Sequence, residues 1–249
     1  MKKLLYIILA LVVFSCNNEN TPDCFQNSGD IIQEEFNVNV FTEITVFPRI
    51  ELIVKQDPIQ KVVVETGAYL LNDIEVKVVN NRLLITNNNA CNINRDYGIT
   101  KVYVSVPNLT EIRNGSGLTV RSDGVLAFDE LRLVSEDFNA DGDVNSDGDF
   151  NVKVDCIQLD CVINNLSTIF IRGEVENLFV GYYSGDSRFE GRNLIAQNIR
   201  IFQRSSNDLV INPQLSLTGE IRSTGDVIVV NTPPTIDVER FYTGRLIFE

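Results

Sequence analysis

Apolar and polar residues alternate along most of the chain, and no segment sustains the three-to-four-residue spacing of an amphipathic helix, so the sequence predicts an all-β protein. Between residues 36 and 110 the alternating runs are FTEITVF, RIELIVKQ, KVVVETG, DIEVKVV, RLLITN and KVYVSVP. Short strands of this kind, separated by turn residues, are expected to pair as a β-meander. Asn80 and Asn81, between DIEVKVV and RLLITN, predict a two-residue hairpin turn because Asn tolerates positive φ.

After residue 110 the pattern becomes a repeat. LRLVSE, IQLDCV, LFVGYY, IRIFQR, LSLTGE and IDVERF share an apolar-x-apolar start at Leu131, Ile157, Leu178, Ile199, Leu215 and Ile236, at spacings of 26, 21, 21, 16 and 21 residues. A turn and a second short strand follow each start. Gly117, Gly142, Gly185, Gly225 and Gly244 precede the second strands, where the chain must turn sharply. A period near 21 with two strands per unit predicts a parallel β-helix over residues 111–249, capped by the meander. Each coil would bury its inward residues by stacking on its neighbours at ~4.8 Å.

The N-terminus has a different character. Lys2 and Lys3 precede the apolar run LLYIILALVVF, which is too short to span a bilayer and predicts a lipoprotein signal peptide over residues 1–15. Ser15-Cys16 closes that run as a lipobox does, making Cys16 the expected lipidated N-terminus of an exported protein tethered to the cell envelope, at the outer membrane. Residues 16–35 then read as a flexible tether, and 36–249 as one compact domain.

The chain carries 34 acidic and 21 basic residues; removal of Lys2 and Lys3 with the signal leaves 19 basic ones. So acidic a surface speaks against nucleic acid as a partner. The absence of His excludes Ser-His-Asp triads, Cys-His nucleophiles and His-ligated zinc. Four Cys remain beyond Cys16 in a disulfide-permissive compartment. Cys24 and Cys91 lie outside the strand-like runs and are the expected disulfide. Cys156 and Cys161, in VDCIQLDCV, would stand roughly 16 Å apart along a strand, beyond disulfide reach, and read as buried free thiols.

The segment DFNADGDVNSDGDFNVKV (137–154) repeats the first half of a calcium loop. Neither register supplies the final bidentate carboxylate: the twelfth position is Gly148 from Asp137 and Val154 from Asp143. Strand alternation accounts for the whole stretch, with Phe138, Gly142, Val144, Phe150 and Val152 on one side. Asp137, Asn139, Asp141, Asp143, Asn145, Asp147 and Asp149 share the other. Five carboxylates on one face repel one another, and a surface Ca²⁺ would relieve this, so these seven are the candidate metal ligands and Ca²⁺ the possible cofactor.

Stacked coils would also turn the positions between inward residues into outward ladders, with Arg132, Gln158, Phe179 and Arg200 in one row. Tyr183, Arg200, Phe202, Arg204, Phe241 and Tyr242 form the candidate ligand-binding face, since aromatic and arginine side chains on a flat β surface stack on sugar rings or anchor a protein partner. The competing reading is a carbohydrate-active β-helix enzyme, a polysaccharide lyase or glycoside hydrolase. Its only basic cluster would be Arg188, Arg192, Arg200 and Arg204.

Several of these features carry a resemblance: the lipobox, the CFQNSGDI opening, the meander ending in KVYVSVPNLTEI, the NGSG turn at 114–117 and the later TGD and SGD corners. Together they resemble the head GIN domain family, putative auto-transporter adhesins of Gram-negative cell envelopes. That resemblance implies a right-handed, pectin-lyase-like β-helix, no catalytic residues, and adhesion as the role. The Gly corners and the Cys24 and Cys91 pair match by position, whereas the Asp-rich hexads and Cys156 with Cys161 depart from the family. The expected function is therefore a non-catalytic adhesion module that binds glycan or protein.

Overall fold

The structure, a computed structural model, describes residues 23–89, 91, 93, 98–137 and 144–249. These residues form an all-β protein built on one strongly curled sheet of 18 strands, with two 3-10 turns, Asp23–Phe25 and Leu71–Asp73, as its helical elements. Cys16 and the rest of residues 1–22 lie outside the described residues.

In chain order the first strands are β1 (Ile31–Glu35), β2 (Glu43–Val46), β3 (Ile50–Gln56), β4 (Lys61–Gly67), β5 (Ile74–Val79) and β6 (Arg82–Asn87). There follow β7 (Thr100–Val106), β8 (Glu111–Asn114), β9 (Val120–Leu126) and β10 (Glu130–Ser135). Three long strands come next, β11 (Phe150–Ile163), β12 (Thr168–Tyr182) and β13 (Arg188–Gln203). The last are β14 (Leu209–Ile211), β15 (Pro213–Ile221), β16 (Val227–Val229), β17 (Thr235–Arg240) and β18 (Leu246–Phe248).

Among the described residues all but three strand pairings are parallel; the exceptions are β1 with β4, β4 with β7, and the β5–β6 hairpin. Asn80 and Asn81 make that hairpin turn at φ 50° and 66°. The expected meander over 36–110 is thus present only in part, because β2 and β3 pair in parallel with β6 and β8 and with β7 and β9. The short link between β2 and β3, with Arg49 at φ 73°, redirects the chain from one wall of the stack to the other instead of closing a hairpin. Alternation of apolar and polar residues is the same in both cases, so it could not distinguish them. Nor is all of 16–35 a tether: Cys24 is joined to Cys91, and β1 pairs with β4 along its full length.

The curled sheet contains two series of parallel-paired strands, its two walls, which share one apolar core. In the first, Ile44, Ile112, Leu133, Cys161, Val180 and Ile201 occupy one row, each opposite the next. In the second, Leu52, Val120, Phe150, Ile169, Phe189, Leu209 and Val227 do the same. All of these but Ile201, at 2% exposure, are fully buried. Each apolar residue thus packs on its counterparts in the adjacent units, and burying one such side chain contributes on the order of 1.5–3 kcal/mol.

The inward anchors are Leu131, Leu159, Leu178, Ile199 and Leu217; Ile236 continues their register on β17 but is 40% exposed. Two expected anchors are therefore corrected: Ile157 and Leu215 point outward and are about half exposed. Each run offers two candidate apolar anchors two residues apart, Ile157 and Leu159 in one and Leu215 and Leu217 in the other, and the first of each pair is not the one that the neighbouring unit buries.

At the corner between the walls, Ser135, Ser146, Ser167, Ser187 and Ser205 are buried. Ser135 Oγ and Ser167 Oγ are 2.6 Å apart, and Ser205 Oγ donates to the Ser187 carbonyl at 2.8 Å. Carboxylates complete the joint. The Thr168 N–H donates to Asp149 at 2.8 Å, the Asp226 N–H to Asp208 at 3.0 Å, and the Arg245 N–H to Asp226 at 2.8 Å. The Arg245 guanidinium also holds the Asp226 carboxyl below its usual range.

Gly173, in the middle of β12, has φ 121°, and a Cβ there would lie 1.9 Å from the Val154 carbonyl oxygen of the unit below. Gly124 has φ 90° but open space around it. Gly173→Ala is expected to destabilise the fold by about 3 kcal/mol or more, and Gly124→Ala by only about 1–2 kcal/mol for the left-handed backbone alone. Urea unfolding of both variants checks the difference. Cys156 and Cys161 are both free and buried, and burial pushes the Cys156 thiol up to about 11 and holds the Cys161 thiol well above its ordinary value. Neither should react with a thiol reagent at pH 8 in the native state, and both should react in urea, as mass spectrometry of the alkylated protein would show.

Candidate functional site

Parallel register arranges the outward side chains of the first wall in rows, just as it does the core. One row runs Glu43, Glu111, Arg132, Asp160, Phe179, Arg200, Thr218 and Asp237. Beside it run Thr45, Arg113, Val134, Val162, Gly181, Phe202, Glu220 and Glu239. A third row lies just past the strand ends. There the backbone N–H groups of Asn164, Tyr183, Arg204, Arg222 and Phe241 each donate to a carbonyl one unit earlier.

The rows touch through aromatic rings and guanidinium groups. Arg200 lies 4.0 Å above the Phe179 ring, and the Tyr183 and Phe202 rings are 5.0 Å apart with a 31° tilt. Arg222 bridges onward, 5.9 Å from Phe202 and 4.1 Å from Phe241. Of the residues expected on the binding face, Tyr183 and Phe202 are thus in contact, Arg204 and Phe241 share Tyr183's row, and Arg200 stands one row further in. Tyr242 follows Phe241 and is exposed.

Arg222, which sequence reading passed over, is the link between Phe202 and Phe241. Only the register reveals it, because it occupies the offset after LTGEI that Arg204 occupies after IRIFQ. The row expected for Arg132, Gln158, Phe179 and Arg200 holds Asp160 in place of Gln158, which is paired with Glu130 instead. That shift is the same two-residue error that misplaced Ile157.

The arginines needed by the enzyme reading have separate partners. Arg188 is bound to Glu190 at 2.5 Å and to Asp208 at 3.4 Å, Arg192 is paired with Glu249, and Arg200 lies on Phe179. Among the described residues the Arg204 guanidinium has no carboxylate partner.

An ion-pair network flanks the aromatic rows. Glu111 receives Arg82 at 2.8 Å and Arg132 at 3.0 Å, with Arg113 at 3.8 Å; Arg82 also meets Glu43 at 2.5 Å and Arg113 meets Glu136 at 3.5 Å. Glu111, Arg113 and Glu136 are each more than nine-tenths buried. Taking such charges out of water is expensive unless they are paired, so the network fixes Arg132 and Glu136 in place.

Of the seven candidate metal ligands, Asn139, Asp141 and Asp143 lie outside the described residues. Asp149 spends a carboxylate oxygen on the Thr168 N–H, Asn145 bridges to Ser116 beside the corner, Asp147 is exposed there, and Asp137 borders the ion-pair network's end. Among the described residues no three carboxylate or thiol groups converge as a metal set.

The fold places the chain with a group of solved all-β proteins. It superposes on a putative adhesin from Bacteroides fragilis NCTC 9343 with a TM-score of 0.78 at 16% identity, covering 88% of this chain and 97% of that one. A putative adhesin from Parabacteroides merdae ATCC 43184 matches at TM-score 0.65 and 16% identity, over 89% and 97% of the two chains. A putative lipid binding protein from Parabacteroides distasonis ATCC 8503 matches at 0.65 and 13% identity, again over 89% and 97%. No curated protein matches the sequence. The family described as "Putative auto-transporter adhesin, head GIN domain" matches residues 40–233, and the chain belongs to it.

Neutralising Glu111 leaves three guanidinium groups facing one another without their shared counter-charge. Glu111→Gln is expected to destabilise the protein by about 3–5 kcal/mol. Removing Glu220, whose contact with Arg222 is solvent-exposed, should cost under about 1 kcal/mol. Parallel denaturant titrations of Glu111→Gln and Glu220→Gln check the contrast.

Proposed function

We propose that this protein is a non-catalytic adhesion module whose stacked units form a parallel β-helix and whose first wall binds a glycan or a surface protein. The observation that carries this reading is the contiguous outward ladder Tyr183, Phe202, Arg222 and Phe241. Exposed aromatic–guanidinium contacts contribute only about 0.5–1 kcal/mol each, too little for stability alone to account for leaving Phe241 51% and Tyr183 40% exposed. Rings held in place by one another and by a neighbouring guanidinium are instead preorganised for stacking on a partner. Membership of an adhesin family supports the same role.

The N-terminal LLYIILALVVFSC pattern adds the expected delivery: export, lipidation at Cys16 and attachment to the outer membrane, with the domain held at the envelope by its lipid. The polysaccharide lyase reading would need a basic cleft, and three of its four arginines are engaged with Glu190, Asp208, Glu249 and Phe179.

The test is binding to arrays of surface glycans and surface proteins, run alongside an assay for released reducing or unsaturated sugar ends. Combined Tyr183→Ala, Phe202→Ala and Phe241→Ala should abolish array binding while shifting the melting temperature by no more than a few degrees, since all three side chains face outward. Native-level binding by the triple variant, or release of sugar ends by the unaltered protein, overturns the reading.

A further inference from the structure

Where the aromatic rows meet the ion-pair network there is a hollow of about 610 Å³, open to solvent. Val162 lines it, and beside Val162 in its row is Gly181. A Cβ on Gly181 would come within 2.8 Å of the Phe179 ring and 3.0 Å of the Tyr183 ring, so the bare backbone lets both rings lean in. Arg132 and Glu136 form one side, positioned by Glu111 and Arg113; Tyr183 and Arg204 form the other.

Asn164 supplies the independent sign of a ligand. It lines the hollow, is 9% exposed, and its carboxamide oxygen, which is shut off from solvent, has no hydrogen-bond partner. Buried acceptors are paired in folded proteins because leaving one unmade is costly, so turning this carboxamide toward the hollow to meet a donor from outside gives up no hydrogen bond of the oxygen.

The charges around the hollow narrow the class of that ligand. Glu136 and Asp137 oppose an anion, while Arg132 and Arg204 oppose a cation. A neutral molecule rich in hydroxyl groups satisfies both sets, donating to the carboxylates and to Asn164 and accepting from the guanidinium groups. It also needs an apolar face to cover the exposed ring of Tyr183.

We propose that this hollow is a saccharide subsite that takes one or two neutral sugar rings, the first stacked on Tyr183 with a hydroxyl donating to Asn164 Oδ1 once the carboxamide turns toward the hollow. The proposal rests on the glycan side of the adhesion reading and names the place and charge class of the sugar. The ladder through Arg222 and Phe241 then extends the contact for longer chains.

The experiment uses short probes that reach only the hollow. Maltose, cellobiose, lactose and diacetylchitobiose are titrated by saturation-transfer NMR and calorimetry, against disaccharides carrying a uronic acid and against anionic phospholipid vesicles. At least one neutral disaccharide should bind. Tyr183→Ala and Asn164→Ala should each weaken it by about tenfold or more, and Phe241→Ala by less than about twofold.

Asn164→Ala should leave the melting temperature unchanged or raise it, which a merely structural asparagine would not do. The proposal is overturned if no neutral disaccharide binds at millimolar concentration, if acidic sugars or vesicles bind in preference, or if neutral-sugar binding survives both hollow substitutions. In each of these cases array binding that depends on the Tyr183–Phe202–Phe241 ladder would still uphold the adhesion reading. Loss of ladder dependence on the arrays would remove that reading as well.

Discussion

Parallel register between successive units is the constraint from which the rest of this molecule follows. Through most of the stack, the backbone N–H and C=O groups of a strand are satisfied by the unit before and the unit after. Because side chains alternate with a period of two, a slip by one residue would send Leu178 and Val180 into solvent and bring Phe179 into the core. The core rows, the outward rows and the serine and aspartate corner are three consequences of one alignment. Close approach enforces it locally: Gly173 and Gly219 each leave the carbonyl of the preceding unit no room for a side chain.

The same alignment determines how an acidic chain tolerates buried charge. Glu43, Glu111 and Arg132 stand in one row with Arg82 paired alongside, so carboxylates and guanidinium groups meet at strand spacing without any loop having to deliver them. Glu111 serves three arginines with two oxygens, which leaves each guanidinium with donors to spare. Beyond Arg132 and Asp160 the row changes from charge to ring, with Phe179 under Arg200. The hollow lies at that transition, where small or short residues, Val162 and Gly181, fall between long ones.

How much of this was legible in the sequence depended on whether a feature was local or relational. Strands of alternating residues, the Asn80–Asn81 turn and the inward side of Phe150, Val152 and Val154 are local, and alternation gave them away. Which strand pairs with which is relational. RIELIVKQ reads identically whether its neighbour is a hairpin partner or a unit 50 residues later, and so β3 looked like part of a meander. In VDCIQLDCV and NPQLSLTGE two phases of the repeat were both plausible, and only the burial of Leu159 and Leu217 by adjacent units selects one. The aromatic members of the site were found because exposed rings are conspicuous by type. Arg222, Asn164 and Glu136 are ordinary polar residues whose significance comes from the residues beside them in the next unit.

The separation between inward and outward rows also explains how far sequences can drift on this fold. A core position demands only an apolar residue of suitable volume, and aliphatic exchanges that preserve volume are tolerated at modest cost. An outward position in mid-wall demands less, since its side chain contributes to neither the core nor the ladder of backbone bonds. A TM-score of 0.78 at 16% identity is what such a division permits. It follows that the outward residues of the wall can change without re-solving the fold. Tyr183, Phe202, Arg222 and Phe241 occupy such outward positions, where the core places no demand on the identity of the side chain.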